Sequence, residues 1–424
     1  MLKIYGIGLL FLICFYCLLG LKKEGFFFIF NYGRLGLIIW TFGLGLYDLK
    51  LSDLYKPDLF VNLIGTIVIL NFALLIKIVP IKSSAIIGIF KNVSIPKKGY
   101  IYSLYFTLLL GIVSFIKNYK DGLLRFFSAN KGMRADISLS YFFHSMVVVS
   151  ICFYILFREE KRKRRKIWYL FLSVFTAFLE FTNLARGPLI FLGIGIIYYE
   201  LYKYLIKKET YKFTVKQIVI FIFVIIITVW AFGAIGDSRT IGLFGTTATN
   251  YYKMPEYFPS GLTWIYVYIT SPLENLRYSL SNDVITNYAM FNKLFYPVIK
   301  FIANIFGQGN NYASYVNSFN SITPYLWNIV GLNMSTFITS AYLDAGIVGI
   351  FVYLIIYDLI CFLLNRIIVS KQINNLSKII IIPLILEIPI WSIFTNSILG
   401  VTSIWSDIIF ILLWNLGNKI VIKR

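Results

Sequence analysis

The chain has 424 residues, of which 58% are hydrophobic and only 14% charged, well short of the roughly 25% charge usual in soluble domains. That composition excludes an ordinary soluble globular domain and indicates an all-α integral membrane protein. A formal net charge of +21 would suit a nucleic-acid partner if the basic residues formed one patch. They instead fall in the connectors between apolar runs, where they set topology, so no nucleic-acid partner is expected.

Apolar runs of about 20 residues, enough to cross a hydrocarbon core of about 30 Å, recur along the chain. They place helices near 2–21, 26–47, 59–80, 100–116, 139–157, 167–183, 187–206, 216–235, 337–364, 376–394 and 400–417, about eleven spans in a range of 10 to 12. The first run is long enough to span and lacks a small-residue cleavage site, so it reads as a retained anchor. Within it, Cys14 and Cys17 form a C-x-x-C spacing. No second cysteine pair or histidine cluster completes a metal site, so these thiols read as packing residues, with no disulfide, metal or cofactor expected.

Alternating the connectors puts Lys22 and Lys23, 82–98, 158–166, 203–216, 366–378 and the Lys423, Arg424 tail on one side, with REEKRKRRK at 158–166 the strongest block. The positive-inside rule makes that side the cytoplasm, leaving the N-terminus outside and the C-terminus inside. The long connector 236–336 then lies outside. Its stretches LTWIYVYITSPLENL and the run around Phe291 to Phe306 are apolar enough to lie at the interface or re-enter, so it is expected to cover a cavity.

Polar residues at the edges of these runs are the site candidates. In NMSTFITSAYLDAGIVG, from Asn333 to Gly349, Thr336, Ser340 and Asp344 repeat every four residues and fall on one face of the span's first turns. A carboxylate there is costly in hydrocarbon, which directs this face to a bundle interior or watery cavity. Arg186, in TNLARGPLI, stands beside the N–H groups that open the next helix, a place suited to phosphate or pyrophosphate as well as to an interfacial anchor. Arg239 in GAIGDSRTIG is a second anion candidate with Asp237 beside it, Arg277 in SPLENLRYSL a third, and Arg125 and Arg134 are weaker. Glu180 lies six residues before Arg186, at the same mouth. Glu387, between Pro383 and Pro389, needs a partner such as a tyrosine hydroxyl or Arg34, or a watery pocket. His144, the sole histidine, is read as a hydrogen-bonding residue between helices rather than a proton shuttle. Tyr251, Tyr252 and Tyr257 are aromatics placed where sugar rings could stack, although lipid and core packing account for most of the aromatic content.

The motifs Arg186-Gly187, Arg239, Ser271-Pro272-Leu273 and the set Asn333, Thr336, Tyr342, Asp344, Gly346 and Gly349, together with the long outer loop, resemble the bacterial O-antigen polymerase family. The resemblance implies a GT-C-like glycosyltransferase of the bacterial cytoplasmic (inner) membrane. Such an enzyme transfers a growing glycan from undecaprenyl pyrophosphate to the next lipid-linked repeat unit, alongside a flippase and a chain-length regulator. It implies Arg186 and Arg239 as a pyrophosphate clamp. Asp344 then orients or deprotonates the acceptor hydroxyl, pairs with an arginine, or holds the loop. Asn333 and Thr336 of the motif, with Ser340, Arg277 and Glu180 by their placement, are the expected substrate-binding residues. Related ligases carry a histidine near the start of the corresponding helix, where this chain has Asn333. The rival readings are a flippase for lipid-linked oligosaccharide, which would show two related halves, and a ligase-type transferase.

Overall fold

The computed structural model describes residues 1–29, 31–80, 83–118, 145–181, 186–208, 244–281, 288–319, 325–332, 334–395 and 402–419, with short stretches between 223 and 242. The regular structure of these residues is helical throughout. Four helices are long and apolar enough to cross a membrane, Leu2–Glu24, Leu59–Ile78, Lys98–Ile116 and Phe337–Val369, and Ile404–Gly417 is a shorter apolar one. The expected run 216–235 and residues 139–144 fall largely or wholly outside the described residues. The chain divides into two compact units, Met1–Pro80 with Thr210–Cys361 and Ile388–Gly400, and Ile81–Glu209 with Phe362–Glu387 and Val401–Arg424.

The first unit begins with α1 (Leu2–Glu24), a 3-10 turn (Gly25–Ile29), α2 (Tyr32–Asp48) and α3 (Leu59–Ile78). The run expected as one helix over 26–47 is interrupted, because the Asn31 side chain accepts from the Arg34 amide at 3.2 Å and starts a new helix there. Asp58 starts α3 in the same way, accepting from Val61 N at 2.8 Å. Little of α1 is buried beyond Gly6 and Ile13, so its Ile, Phe and Leu side chains face outward, as a lipid-facing helix requires. α2 and α3 approach closely at Gly36, where a Cβ would lie 2.2 Å from the Phe72 ring. The acid–base pair at the same end of α2 is local and only partly buried: Arg34 grips Glu24 with two bonds of 2.6 and 2.8 Å. Arg34 is therefore engaged by Glu24.

The same unit holds α9 (Ala248–Tyr251), α10 (Ser260–Ser281), α11 (Tyr296–Ile305), α12 (Gly309–Ser318), α13 (Tyr325–Val330) and most of α14 (Phe337–Val369). α14 is not one straight helix. Ala345 (φ −153°, ψ 32°) and Gly346 (φ 62°, ψ −147°) interrupt it. The Phe337 ring lies 5.4 Å from the Tyr357 ring, whereas twenty residues of continuous helix would separate them by about 30 Å. The chain therefore doubles back, and 337–344 packs as a short arm against the start of 347–369. A glycine is required at two places: Gly346 takes a left-handed conformation, and a Cβ on Gly349 would lie 2.1 Å from the Ala341 carbonyl oxygen of the opposing arm.

The second unit contains α4 (Ser83–Lys91), α5 (Lys98–Asn118), α6 (Met146–Glu159), α7 (Lys163–Phe181), α8 (Arg186–Lys208), α15 (Asn375–Trp391) as far as Glu387, and α16 (Thr402–Gly417). α6 is buried almost all round. It crosses α7 at two serines that exchange bonds, Ser150 Oγ to Ser173 O at 2.8 Å and Ser173 Oγ to Ser150 O at 3.0 Å, the small-residue contact by which apolar helices approach closely. α16 packs on α5 through Trp414 Nε1, which donates to Thr107 Oγ1 at 2.8 Å. Where α4, α6 and α8 end together, Arg158 pairs with Glu200 at 2.6 Å and Lys203 with Glu159 at 2.6 Å. Cations in the last turns of these helices also offset their terminal carbonyls.

Candidate functional site

The motif Tyr-x-Asp-x-Gly-x-x-Gly has a plain physical account in the hairpin. Thr336 caps the short arm, its Oγ1 accepting from Thr339 N at 3.3 Å and lying 3.0 Å from Thr339 Oγ1. Asp344 ends the same arm. Its Oδ1 accepts from Lys293 N at 2.9 Å, and its Oδ2 accepts from Leu294 N at 2.7 Å and from the Tyr353 hydroxyl at 2.8 Å. The last carbonyls of the arm are also occupied, Leu343 O by Ala289 N at 3.2 Å and Asp344 O by Met290 N at 3.0 Å. The aspartate thus binds the tip of the hairpin to the segment that leads into α11.

Ser340 and Asp344 lie one turn apart in the same short helix, and Thr336 caps its start from just outside it. The membrane-length helix begins at 347, however, so this face belongs to the returning arm and not to the first turns of the span. Thr336 and Asp344 are fully buried, and Ser340 is half-buried. A carboxylate has about four lone-pair positions, and three of those on Asp344 are taken by the fold. The visible work of this side chain is to hold the turn.

The long connector is pinned to the rest of its unit by α10. Glu274, fully buried, accepts from the Tyr47 hydroxyl at 2.6 Å and the Lys56 amide at 3.0 Å with Oε2, and from Arg277 Nε at 2.8 Å with Oε1. Its neighbour Asn275 holds the other side: Nδ2 donates to Leu332 O at 3.2 Å and Met334 O at 2.6 Å, and Oδ1 accepts from Leu326 N at 3.0 Å. One turn of α10 therefore fastens the 49–58 loop to the approach to the hairpin. Tyr266 and Ser52 add to this, with Leu51 N donating to the Tyr266 hydroxyl at 2.9 Å and Ser52 Oγ to Tyr252 O at 2.7 Å. Ser271, Pro272 and Leu273 all lie buried inside α10.

Arg277 is placed by this arrangement rather than left as an open cation. Its guanidinium is held by Glu274, with Nη1 3.4 Å from Ser281 Oγ. An anion bound there meets a neutral pair, so a second cation is needed to attract it. Arg186 opens α8, as its Gly-Pro successor predicts, but its side chain lies outside the described residues, as do Arg239, Asn333 and His144, with Arg125 and Arg134. Asp237 accepts from Ala248 N at 3.0 Å, a cap for α9. Glu180 lies fully buried in the last turn of α7 in the second unit. At the two ends of the 49–58 loop, Asp58 is the α3 cap, and Asp48, the last residue of α2, accepts from Asn62 Nδ2 at 2.9 Å. Tyr252 is buried, Tyr251 stacks on Phe244 at 4.3 Å, and Tyr257 stands 84% exposed, which leaves Tyr257 alone of the three free for a planar ligand.

Sequence reasoning missed Glu274 and Asn275. Their signal was present: an acid and an amide side by side in a 22-residue helix with no other acid, and an arginine three residues on. Lys293 was missed as well. It sits half-buried beside Asp344, where burial draws its ammonium below the ordinary lysine value while the carboxylate opposes the shift. No protein-family model, curated protein or solved structure matches the chain.

Proposed function

We propose that the chain is a GT-C-like membrane glycosyltransferase that polymerises lipid-linked oligosaccharide repeat units at the outer face of the bacterial cytoplasmic membrane. In this reading the N-terminus lies outside and the C-terminus in the cytoplasm, and about eleven helices span. The observation that carries it is the built character of the connector after 236. Through Glu274 and Asn275 it is tied both to the 49–58 loop and to the hairpin approach, which gives one face of the first unit a fixed architecture. Enzymes place reacting groups on such rigid supports.

The proposed reaction breaks the bond between the anomeric carbon of the growing glycan and undecaprenyl pyrophosphate. A hydroxyl oxygen of the next repeat unit takes that carbon and gives up its proton, and the pyrophosphate carries away the electron pair. Negative charge grows on the leaving group, so fixed cations lower the barrier. Arg186 and Arg239 are proposed for this role, because a guanidinium stays charged and forks onto phosphate oxygens. Arg277, neutralised by Glu274, positions its helix. Asp344 orients the site through the hairpin.

The test is the size distribution of lipid-linked and surface glycan after deletion of the gene and its restoration. Single repeat units accumulating on lipid, with long chains lost, support the polymerase. Long chains kept on the carrier make the protein a ligase, and repeat units trapped on the cytoplasmic leaflet make it a flippase. In complemented cells, Arg186→Ala and Arg239→Ala at normal protein levels are expected to abolish chain lengthening, and unchanged ladders remove those residues from the clamp.

A further inference from the structure

The membrane-length part of the hairpin, 347–369, contains 23 residues, a rise of about 34 Å against a hydrocarbon core of about 30 Å. Exposed Val348, Phe351, Ile355 and Leu359 along it form the lipid-facing stripe. The turn at 345–346 therefore stands at one edge of the core, and Asp344, immediately before it, stands at the same level. Lys293 and Leu294, whose amides sit on that carboxylate, share that level. α11 begins two residues later, at Tyr296.

α11 has two unlike sides. Phe295, Val298, Ile302 and Phe306, spaced by three, four and four, are 51, 60, 49 and 75% exposed. At helical spacing they form one bare apolar face. Lys300 and Asn304 fall on the opposite side. There the Tyr296 ring stacks on Tyr312 of α12 at 5.9 Å, with Lys300 Nζ 5.4 Å from the same ring. The polar side of α11 is thus the side covered by protein, and its apolar side continues the level at which the lipid stripe of 347–369 ends.

We infer that α11 is an interfacial helix, lying in the headgroup and acyl boundary of the leaflet at the hairpin tip. Phe295, Val298, Ile302 and Phe306 enter the lipid, and Asp344 sets its depth. Burial of this face in lipid removes it from water at no cost in backbone hydrogen bonds, because the helix satisfies its own. The proposal rests on the membrane reading of the chain and is independent of the glycan chemistry.

The test uses the full-length protein in lipid nanodiscs, with the accessible thiols Cys14 and Cys17 replaced by serine and single nitroxide labels at 298, 302, 304, 306, 311 and 355. Collision with oxygen, which partitions into lipid, is compared with collision by a water-soluble nickel chelate. Oxygen is expected to dominate at 298, 302, 306 and 355, the chelate at exposed 311, and neither probe at 304, which faces protein. Chelate access at 302 and 306 equal to that at 311 overturns the proposal by placing the face in water. Low access to both probes there overturns it by placing protein over the face. Chelate access at 355 overturns the membrane reading and this proposal together.

Discussion

The Tyr353 hydroxyl donates to Asp344 Oδ2 at 2.8 Å, joining one arm of the α14 hairpin to the other, and the same oxygen takes the Leu294 amide at 2.7 Å. Hydrogen bonds to a charged group contribute roughly 1.5–3 kcal/mol each. Asp344→Ala is therefore expected to speed hydrogen exchange at the Lys293 and Leu294 amides and to lower the melting temperature. Tyr353→Phe should produce a smaller fall. Unchanged exchange at 293 and 294 combined with lost glycan transfer would assign the carboxylate to the substrate instead of the turn.

The two hairpin glycines should fail for different reasons. Gly349→Ala drives a methyl into the Ala341 carbonyl oxygen, a backbone atom 2.1 Å from the Cβ position, whereas Gly346→Ala meets the Tyr288 side chain no nearer than 3.1 Å but must hold φ at 62°. Overpacking costs about 1–3 kcal/mol and a left-handed alanine roughly 1–2 kcal/mol. Both variants should melt below the native protein in detergent. Gly193→Ala, a helical position with nothing within 4 Å, should melt at or above it. Equal melting of Gly349→Ala and Gly193→Ala would mean that the arms do not pack as described.

Glu274 and Arg277 should be separable by a double substitution. Removing one partner of a buried ion pair costs about 3–5 kcal/mol, while replacing both by apolar side chains is often neutral. Glu274→Leu alone is expected to destabilise strongly, and Glu274→Leu with Arg277→Met to recover, in a denaturation assay, the part of the loss due to the unpaired guanidinium, the Tyr47 hydroxyl and Lys56 amide still lacking their acceptor. Chain lengthening that returns along with stability confirms Arg277 as a positioning residue. Stability restored without lengthening would make its guanidinium part of the substrate site.

Lys293 carries a pH signature. Burial lowers its ammonium from the ordinary value of 10.5, so between the lowered value and 10.5 the unfolded chain binds more protons than the native one. Stability then rises with pH through that window. Lys293→Met should stabilise the protein at neutral pH, with the gain shrinking as pH nears 10.5. Thermal melts across that range measure it, and a gain that does not vary with pH would show that the ammonium is fully solvated.

Apolar run length located most helices to within a few residues, since a membrane core demands a long stretch without charge: 59–80 became Leu59–Ile78, and 187–206 became Arg186–Lys208. The hairpin was not legible in the same way. Hydropathy is blind to direction, and two residues suffice to reverse a chain, so 337–364 reads as one apolar segment. The clue lay in Asp344-Ala345-Gly346, an acid two residues ahead of a glycine that can turn left-handed, which hydrophobic periodicity does not register. Glu274 escaped for another reason. Beside Arg277 it resembles a solvent-exposed loop pair of little weight, and only the burial of α10 reveals that its second oxygen holds Tyr47 and Lys56. Arg34 shows the converse, because a partner ten residues away in sequence was available before any distant one.

The turn at Ala345 and Gly346 also bears on biogenesis. A 33-residue apolar segment leaving the insertion machinery as one helix would be about 50 Å long, far beyond a core of about 30 Å. The amides that occupy the Asp344 carboxylate come from residues synthesised some fifty positions earlier. The hairpin therefore closes only onto a segment that is already made and in place, so folding of this part of the chain follows an order, with the connector first and the helix folded back onto it afterwards.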